Sequence, residues 1–225
     1  MAEDDSFIRE VNEEIRQEKA RALWGKFGPM IIGAAVALVL GTAVWQGYSY
    51  WQNKKAGTIG DAMLTAESLV KGGKVDEAIA ALKQIESSEF GGYPSLAQMR
   101  EAGLTLEQGN KQAAVAMFDK IAQNSDTPSA LKDIASIRAA YILVDTADFN
   151  ELSQRVTVFA SDNNPMRLSA REILGLSAWK VGNLAEAKNY FEQIINDSES
   201  AGSGVAARAQ LMLSLINSRT ESAKG

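Results

Sequence analysis

The residues that could do chemistry come from a short menu. Histidine and cysteine are both absent from the 225 residues. That removes a thiol nucleophile, an imidazole base, any Ser-His-Asp triad, a Cys/His zinc centre and every disulfide. Carboxylates, lysine, serine and tyrosine remain as candidate acids, bases and nucleophiles. The paired acids are Asp61 with Glu67, Asp76 with Glu77, and Asp197 with Glu199. Asp76 and Glu77 open an apolar-periodic segment and read as first-turn acids that complement a helix dipole. Asp197 and Glu199 stand in a Ser/Gly-rich loop and read as solvated. No acidic run follows the D-x-[DN]-x-[DN]-G order of a calcium loop, and no glycine-rich stretch matches a phosphate cradle. Gly91–Gly92 is a turn signal and Gly72–Gly73 a helix end. The expectation is a non-enzyme with no catalytic residue, cofactor or metal.

The chain must then act through the surfaces its elements present. Hydrophobic residues make up 46% and charged residues 23%, the balance of a folded chain. Net charge is −5, so no basic field invites nucleic acid. A mean hydropathy of −0.14 hides one sharp local feature. Between Lys26 and Lys54 there is no charged residue. The most apolar part runs from Phe27 to Trp45, and as a helix it would rise roughly 28 Å, close to the ~30 Å of a hydrocarbon core. Trp24 stands before it, and Trp45, Tyr48, Tyr50 and Trp51 stand at its end, as interfacial aromatics do. The reading is an uncleaved signal anchor with its transmembrane helix at 27–52. It is longer than the ~7–15 apolar residues of a cleaved signal. Arg9, Arg16, Lys19, Arg21 and Lys26 on the N-terminal flank outnumber Lys54 and Lys55 on the other. That bias places the N-terminus in the cytoplasm. Gly33, Ala37 and Gly41 fall four apart and would let another helix pack closely.

Residues 1–26 form a cytoplasmic stub too short to bury a core. Phe7, Ile8, Val11 and Ile15 give it a narrow apolar stripe, a candidate docking element for a membrane partner.

Residues 53–225 are helical in pattern throughout, so the fold class is all-α. Gly73, Gly109 and Gly182 each follow an apolar-periodic segment, and Ala78, Ala114 and Ala187 follow a few residues later. A degenerate copy, Ala147–Asp148 then Leu152, lies between the second and third. The intervals from Ala78 to Ala114 to Leu152 to Ala187 are 36, 38 and 35 residues, near the 34-residue period of tetratricopeptide repeats. Small residues suit the positions where two helices of a hairpin cross closely. Ala66, Ala102, Ala140 and Gly175 take that place on first helices, and the three alanines take it on second helices. The glycines sit where the chain turns, usually through positive φ. Leu82, Phe118, Val156 and Phe191 follow four residues after each second-helix position and would fill the layers. Pro94, Pro128 and Pro165 precede first helices. The third copy lacks both turn glycine and alanine, so its hairpin is expected to depart from the others. Tyr93, Tyr141, Trp179 and Tyr190 read as packing aromatics. Lys83, Arg100, Arg138, Arg167 and Arg171 read as the solvated face.

Leu174–Ile195, LGLSAWKVGNLAEAKNYFEQII, resembles a tetratricopeptide repeat, with VKGGKVDEAIAALKQI and LEQGNKQAAVAMFDKI as weaker copies. The order of stub, span and repeats is similar to that of the YfgM-type ancillary subunits of the bacterial SecYEG translocon. The stub phrase DSFIREVNEEIRQEK followed by ALWGKFGP adds to the likeness. The resemblance implies a solenoid of about four to five helical hairpins, anchored in the inner membrane with its repeats in the periplasm. It also implies an adaptor beside SecYEG that binds secreted or envelope proteins and hands them to periplasmic chaperones. The alternative is an envelope-assembly or division scaffold that works through the repeats without the translocon.

Overall fold

A computed structural model describes residues 2–88 and 90–222; for residues 2–15, 17, 20, 22 and 222 it describes the backbone alone. Nine α-helices follow one another among these residues, with no strand: α1 Ala2–Lys71, α2 Val75–Glu86, α3 Tyr93–Glu107, α4 Lys111–Gln123, α5 Ser129–Leu143, α6 Phe149–Val156, α7 Arg167–Lys180, α8 Leu184–Ile195 and α9 Gly204–Ser222. A 3-10 turn at Thr157–Phe159 follows α6. The chain divides into two compact units, Met1–Thr58 and Ile59–Gly225.

In the first unit, α1 carries the one described helix long and apolar enough to cross a membrane. Its apolar side chains are unburied, Met30 being 74% and Val44 73% exposed. A helix apolar over this length and so little buried is a candidate membrane anchor. Thr42 donates its hydroxyl hydrogen bond to the Val39 carbonyl at 2.8 Å, which satisfies the group within the helix. Gly33, Ala37 and Gly41 are exposed, and no described atom lies within 4 Å of a Cβ built at Gly33 or Gly41. The side chains of Phe7, Ile8, Val11 and Ile15 lie outside the described residues.

The second unit is a stack of helical hairpins. Each apolar layer is built from the two helices of one hairpin and the first helix of the next. Ile59 and Ala66 of α1 pack with Ala78, Leu82 and Ile85 of α2 and Ala97 and Leu104 of α3. Met99 and Ala102 pack with Phe118 and Ile121 of α4 and Ala135 and Ala139 of α5. Ile137 and Ala140 pack with Leu152 and Val156 of α6 and Ala170, Ile173 and Leu174 of α7. Ala178 packs with Ala187, Phe191 and Ile194 of α8 and Ala209 and Ile216 of α9. Repeats that touch only their neighbours are the defining property of a solenoid. Four hairpins and a ninth, unpaired helix make up the stack.

The turn glycines close the first helices in one shared way. Gly182 has φ 79°. Its N–H donates to Trp179 O at 3.0 Å, and the Asn183 N–H donates to Ala178 O at 2.9 Å. These are the paired bonds of a Schellman end, which needs a left-handed residue. Gly73 and Gly109 repeat the geometry with φ 75° and 86°. Asn110 and Asn183 then cap the second helices, accepting from Ala113 N at 3.2 Å and Glu186 N at 3.3 Å. Gly182→Val is expected to destabilise by roughly 1–3 kcal/mol, since a β-branched residue is strained at positive φ. Gly204→Val, at a position without positive φ, should cost far less. Equal losses in denaturant melts would refute the repeat alignment. Gly204 is the first residue of α9.

The third hairpin forms without a glycine. The Ala147 N–H donates to Leu143 O at 2.8 Å, and Asp148 caps α6 by accepting from Glu151 N at 2.7 Å. Lys180, from α7, donates to the Ala147 carbonyl at 2.9 Å and the Val144 carbonyl at 3.3 Å. An ammonium on two carbonyls of the turn takes the place of the missing glycine chemistry. The second helix is correspondingly short, eight residues before the 3-10 turn.

Candidate binding surface

The first helices of successive hairpins are joined by polar side chains placed beside the small crossing residues. Glu67 follows Ala66, and Arg100 precedes Ala102 by two. Their guanidinium and carboxylate meet side-on: Arg100 Nε to Glu67 Oε1 at 2.5 Å and Nη2 to Oε2 at 3.2 Å, with Nη1 to Glu107 at 3.1 Å. Tyr141 follows Ala140, and Glu172 precedes Gly175 by three. The Tyr141 hydroxyl donates to Glu172 Oε2 at 2.6 Å, while Arg208 of α9 donates to both oxygens at 2.6 and 2.8 Å. Glu172 is 2% exposed, so a buried carboxylate links α5, α7 and α9. Burial, then the hydrogen bond to Glu172, pushes the Tyr141 hydroxyl up to about 12. Across α5, α7 and α9 this face is occupied by the protein's own ion pairs.

A second cluster overturns the solvated reading of Arg167, Arg171 and Asp197. Arg167 donates from Nε and Nη2 to both Asp197 oxygens at 2.6 and 2.9 Å. Arg171 Nη1 shares Asp197 Oδ2 at 3.1 Å, its Nε donates to Ala160 O at 3.2 Å, and its Nη2 pairs with Asp162. All three are buried among their partners, with side-chain exposures of 9%, 5% and 8%. The hydrogen bond from Arg167 holds the Asp197 carboxyl down to about 2. This cluster ties α7 to the loops before it and after α8. A cavity of about 400 Å³ opens on it, lined by Gln193, Asn196 and Ser198 besides the charged groups.

A further surface lies between α2, α3 and α4. Gln98 lines three adjoining depressions of about 390, 280 and 600 Å³. Glu86 and Glu101 meet in the second, above Met117 and Ile121. Glu86 Oε1 is buried with no described partner. Gln98 donates weakly to Glu86 Oε2 at 3.5 Å, and Lys83 stands 3.6 Å from Glu101. Burial first, and then the hydrogen bond and charge of Glu101, raise the Glu86 pKa. The folded state thus holds this proton more tightly than the unfolded one. Its stabilising effect is complete below the ordinary value of 4.5 and is lost as pH rises through the raised folded value. Glu86→Gln supplies an N–H donor and removes the charge. It is expected to flatten that slope and add roughly 0.5–1 kcal/mol near pH 8, discounted for solvent screening. Denaturant melts from pH 4.5 to pH 8 check this; an unchanged slope refutes it.

A family profile described as a tetratricopeptide repeat-like domain matches residues 21–213. The chain belongs to that family. Two solved structures of nearly identical TPR-like repeats from Podospora anserina, assigned as kinesin light chain, share its fold. One is a point variant with a TM-score of 0.52 at 19% identity, and the other scores 0.50 at 20%. Each alignment covers 74% of this chain and 90% of the other. No curated protein matches the sequence.

As in tetratricopeptide repeats generally, the signature positions build packing rather than a ligand site. Ala78, Ala114, Phe118, Gly175, Ala187 and Phe191 are all buried. The aromatics are engaged as well. Tyr93 stacks on Phe90 with ring centroids 6.4 Å apart, Tyr190 packs against the third layer, and Arg219 lies 5.3 Å over the Trp179 ring. Arg138 alone of the expected arginines keeps a solvated place on a first helix. Glu172 and Arg208 were not singled out by sequence. The available signal was an acid and a base one repeat apart, 36 residues.

Proposed function

We propose that this tetratricopeptide repeat-like protein is a membrane-anchored adaptor beside the SecYEG translocon. It would contact secreted or envelope proteins through its repeats and pass them to periplasmic chaperones, with residues 1–26 cytoplasmic and the repeats periplasmic. The observation that carries the reading is the unburied membrane-length helix on a chain of protein-binding repeats. The resemblance of the stub and span to YfgM-type subunits supports the choice of complex. Gln98 and its trough are the preferred client contact, because the first-helix face across α5, α7 and α9 is filled by Tyr141, Glu172 and Arg208.

The deciding experiment is copurification from gently solubilised membranes. The unmodified protein should bring translocon subunits with it, and removal of residues 1–45 should abolish this. Either Gly33, Ala37 and Gly41 changed together to leucine, or Phe7, Ile8, Val11 and Ile15 changed to serine, should weaken it at least severalfold. Leucine inserts well, so only close helix packing is lost. If no translocon subunit copurifies with the unmodified protein, the translocon reading fails. A reporter active only outside the cytoplasm, fused after Gly225, should be active; silence would refute the orientation.

A further inference from the structure

We propose that one face of α1, carrying Arg16, Lys19, Leu23 and Lys26, seats on anionic phospholipid headgroups of the leaflet on the N-terminal side of the span. The inference rests on the membrane reading of α1. The four residues are spaced three, four and three apart, which places them on one stripe of a helix turning about 100° per residue. All four side chains are exposed, Leu23 by 59%. Glu18 is the sole acid among residues 16–26, and it projects away from the stripe, as does Arg21 on the opposite side. The stripe therefore presents three cations and an apolar residue with no acid between them.

Position selects the lipid as the occupant. Lys26 adjoins Phe27, where the apolar run begins, and its ammonium lies 5.7 Å over the Phe27 ring. Trp24, 61% exposed, marks the interfacial depth two residues earlier. A headgroup layer adds roughly 5–8 Å beyond the hydrocarbon on each side. Lys26 falls within it. Lys19 stands about 10 Å and Arg16 about 15 Å along the helix from Lys26, and their long stems reach back toward the surface. Leu23 lies between Lys19 and Lys26, about 4.5 Å farther out along the helix than Lys26, at headgroup depth. An acid-free basic stripe continuous with a lipid-facing helix is complementary to phosphate groups of net negative charge.

The test uses the full chain with Trp45, Trp51 and Trp179 changed to phenylalanine, so that Trp24 alone reports. It is reconstituted in phosphatidylcholine vesicles doped with dibrominated phosphatidylglycerol or dibrominated phosphatidylcholine. Brominated phosphatidylglycerol should quench Trp24 roughly three- to tenfold more effectively. The excess should vanish in R16Q/K19Q/K26Q and in high salt, and persist in R21Q, which removes a charge from the other side. Equal quenching by the two lipids, or an excess that survives R16Q/K19Q/K26Q, overturns the proposal while leaving the span intact. An excess lost equally in R21Q overturns the assignment to this face. Quenching by neither lipid overturns the membrane reading of α1, and the proposal with it. A second measurement needs no tryptophan change: anionic lipid retained through detergent purification should fall severalfold in R16Q/K19Q/K26Q, and an unchanged amount counts against the stripe.

Discussion

Replacing Phe191 by alanine is expected to lower the stability of the repeat unit by about 3–5 kcal/mol. Phe191 is fully buried in the layer shared by α7, α8 and α9. Its ring lies flat against Gly175, where a built Cβ would stand 2.9, 3.0 and 3.1 Å from three ring carbons. Glycine at 175 thus exists to admit the ring. Gly175→Ala should cost about 1–3 kcal/mol by overpacking. In a Gly175→Ala, Phe191→Leu double variant the losses should fall short of their sum, because a smaller side chain yields the space the methyl needs. Urea melts of the detergent-solubilised protein supply the three values. A loss under about 1 kcal/mol for Phe191→Ala would show that the fourth hairpin is not held by this layer.

The second large effect belongs to Glu172. Glu172→Ala is expected to cost about 2–3 kcal/mol: it orphans the half-buried Tyr141 hydroxyl and leaves a void on α7. The ion pair with Arg208 adds less than its geometry suggests, since the arginine side chain is 57% exposed. Glu172→Gln isolates the electrostatic part. The Tyr141 hydroxyl, at about 12 in the intact protein, should titrate at lower pH once the carboxylate that raises it is gone. Spectrophotometric titration of tyrosinate between pH 9 and pH 13 reads this directly. An unshifted Tyr141 in Glu172→Gln would refute the linkage across α5, α7 and α9. A hydroxyl with a raised folded value stabilises fully below the ordinary tyrosine value of 10, and its effect fades as pH climbs through 12. With Glu172 gone the folded value falls back toward 10, so this hydroxyl takes less stability away above pH 10.

Two kinds of information were legible in the residues without coordinates. The long apolar helix was, because a charge-free stretch from Lys26 to Lys54 stands out in any sequence. The hairpins were, because each repeat is a local unit whose turn glycine, crossing alanine and layer-filling apolar residue recur at nearly fixed offsets. Gly182, Ala187 and Phe191 lie within ten residues of one another. The third hairpin was harder. Its turn is closed by Lys180, an exposed lysine 33 residues beyond the carbonyl it reaches, and nothing in the type of residue announces that role.

The sequence by itself determined the all-helical class, the repeat period and the positions that pack, since these follow from apolar periodicity and small residues at crossings. Only the tertiary structure decided which charged residues are buried. Arg167 and Asp197, 30 residues apart, and Glu172 and Arg208, 36 apart, have the composition of surface residues and are exposed by every residue-type expectation. Arg167, Asp197 and Glu172 leave water because stacking one repeat on the next delivers a partner at bidentate distance from a neighbouring helix or the loop beside it, while Arg208 stays largely exposed. A carboxylate's burial is fixed by what lies across the layer, and the layer forms only when the repeats stack.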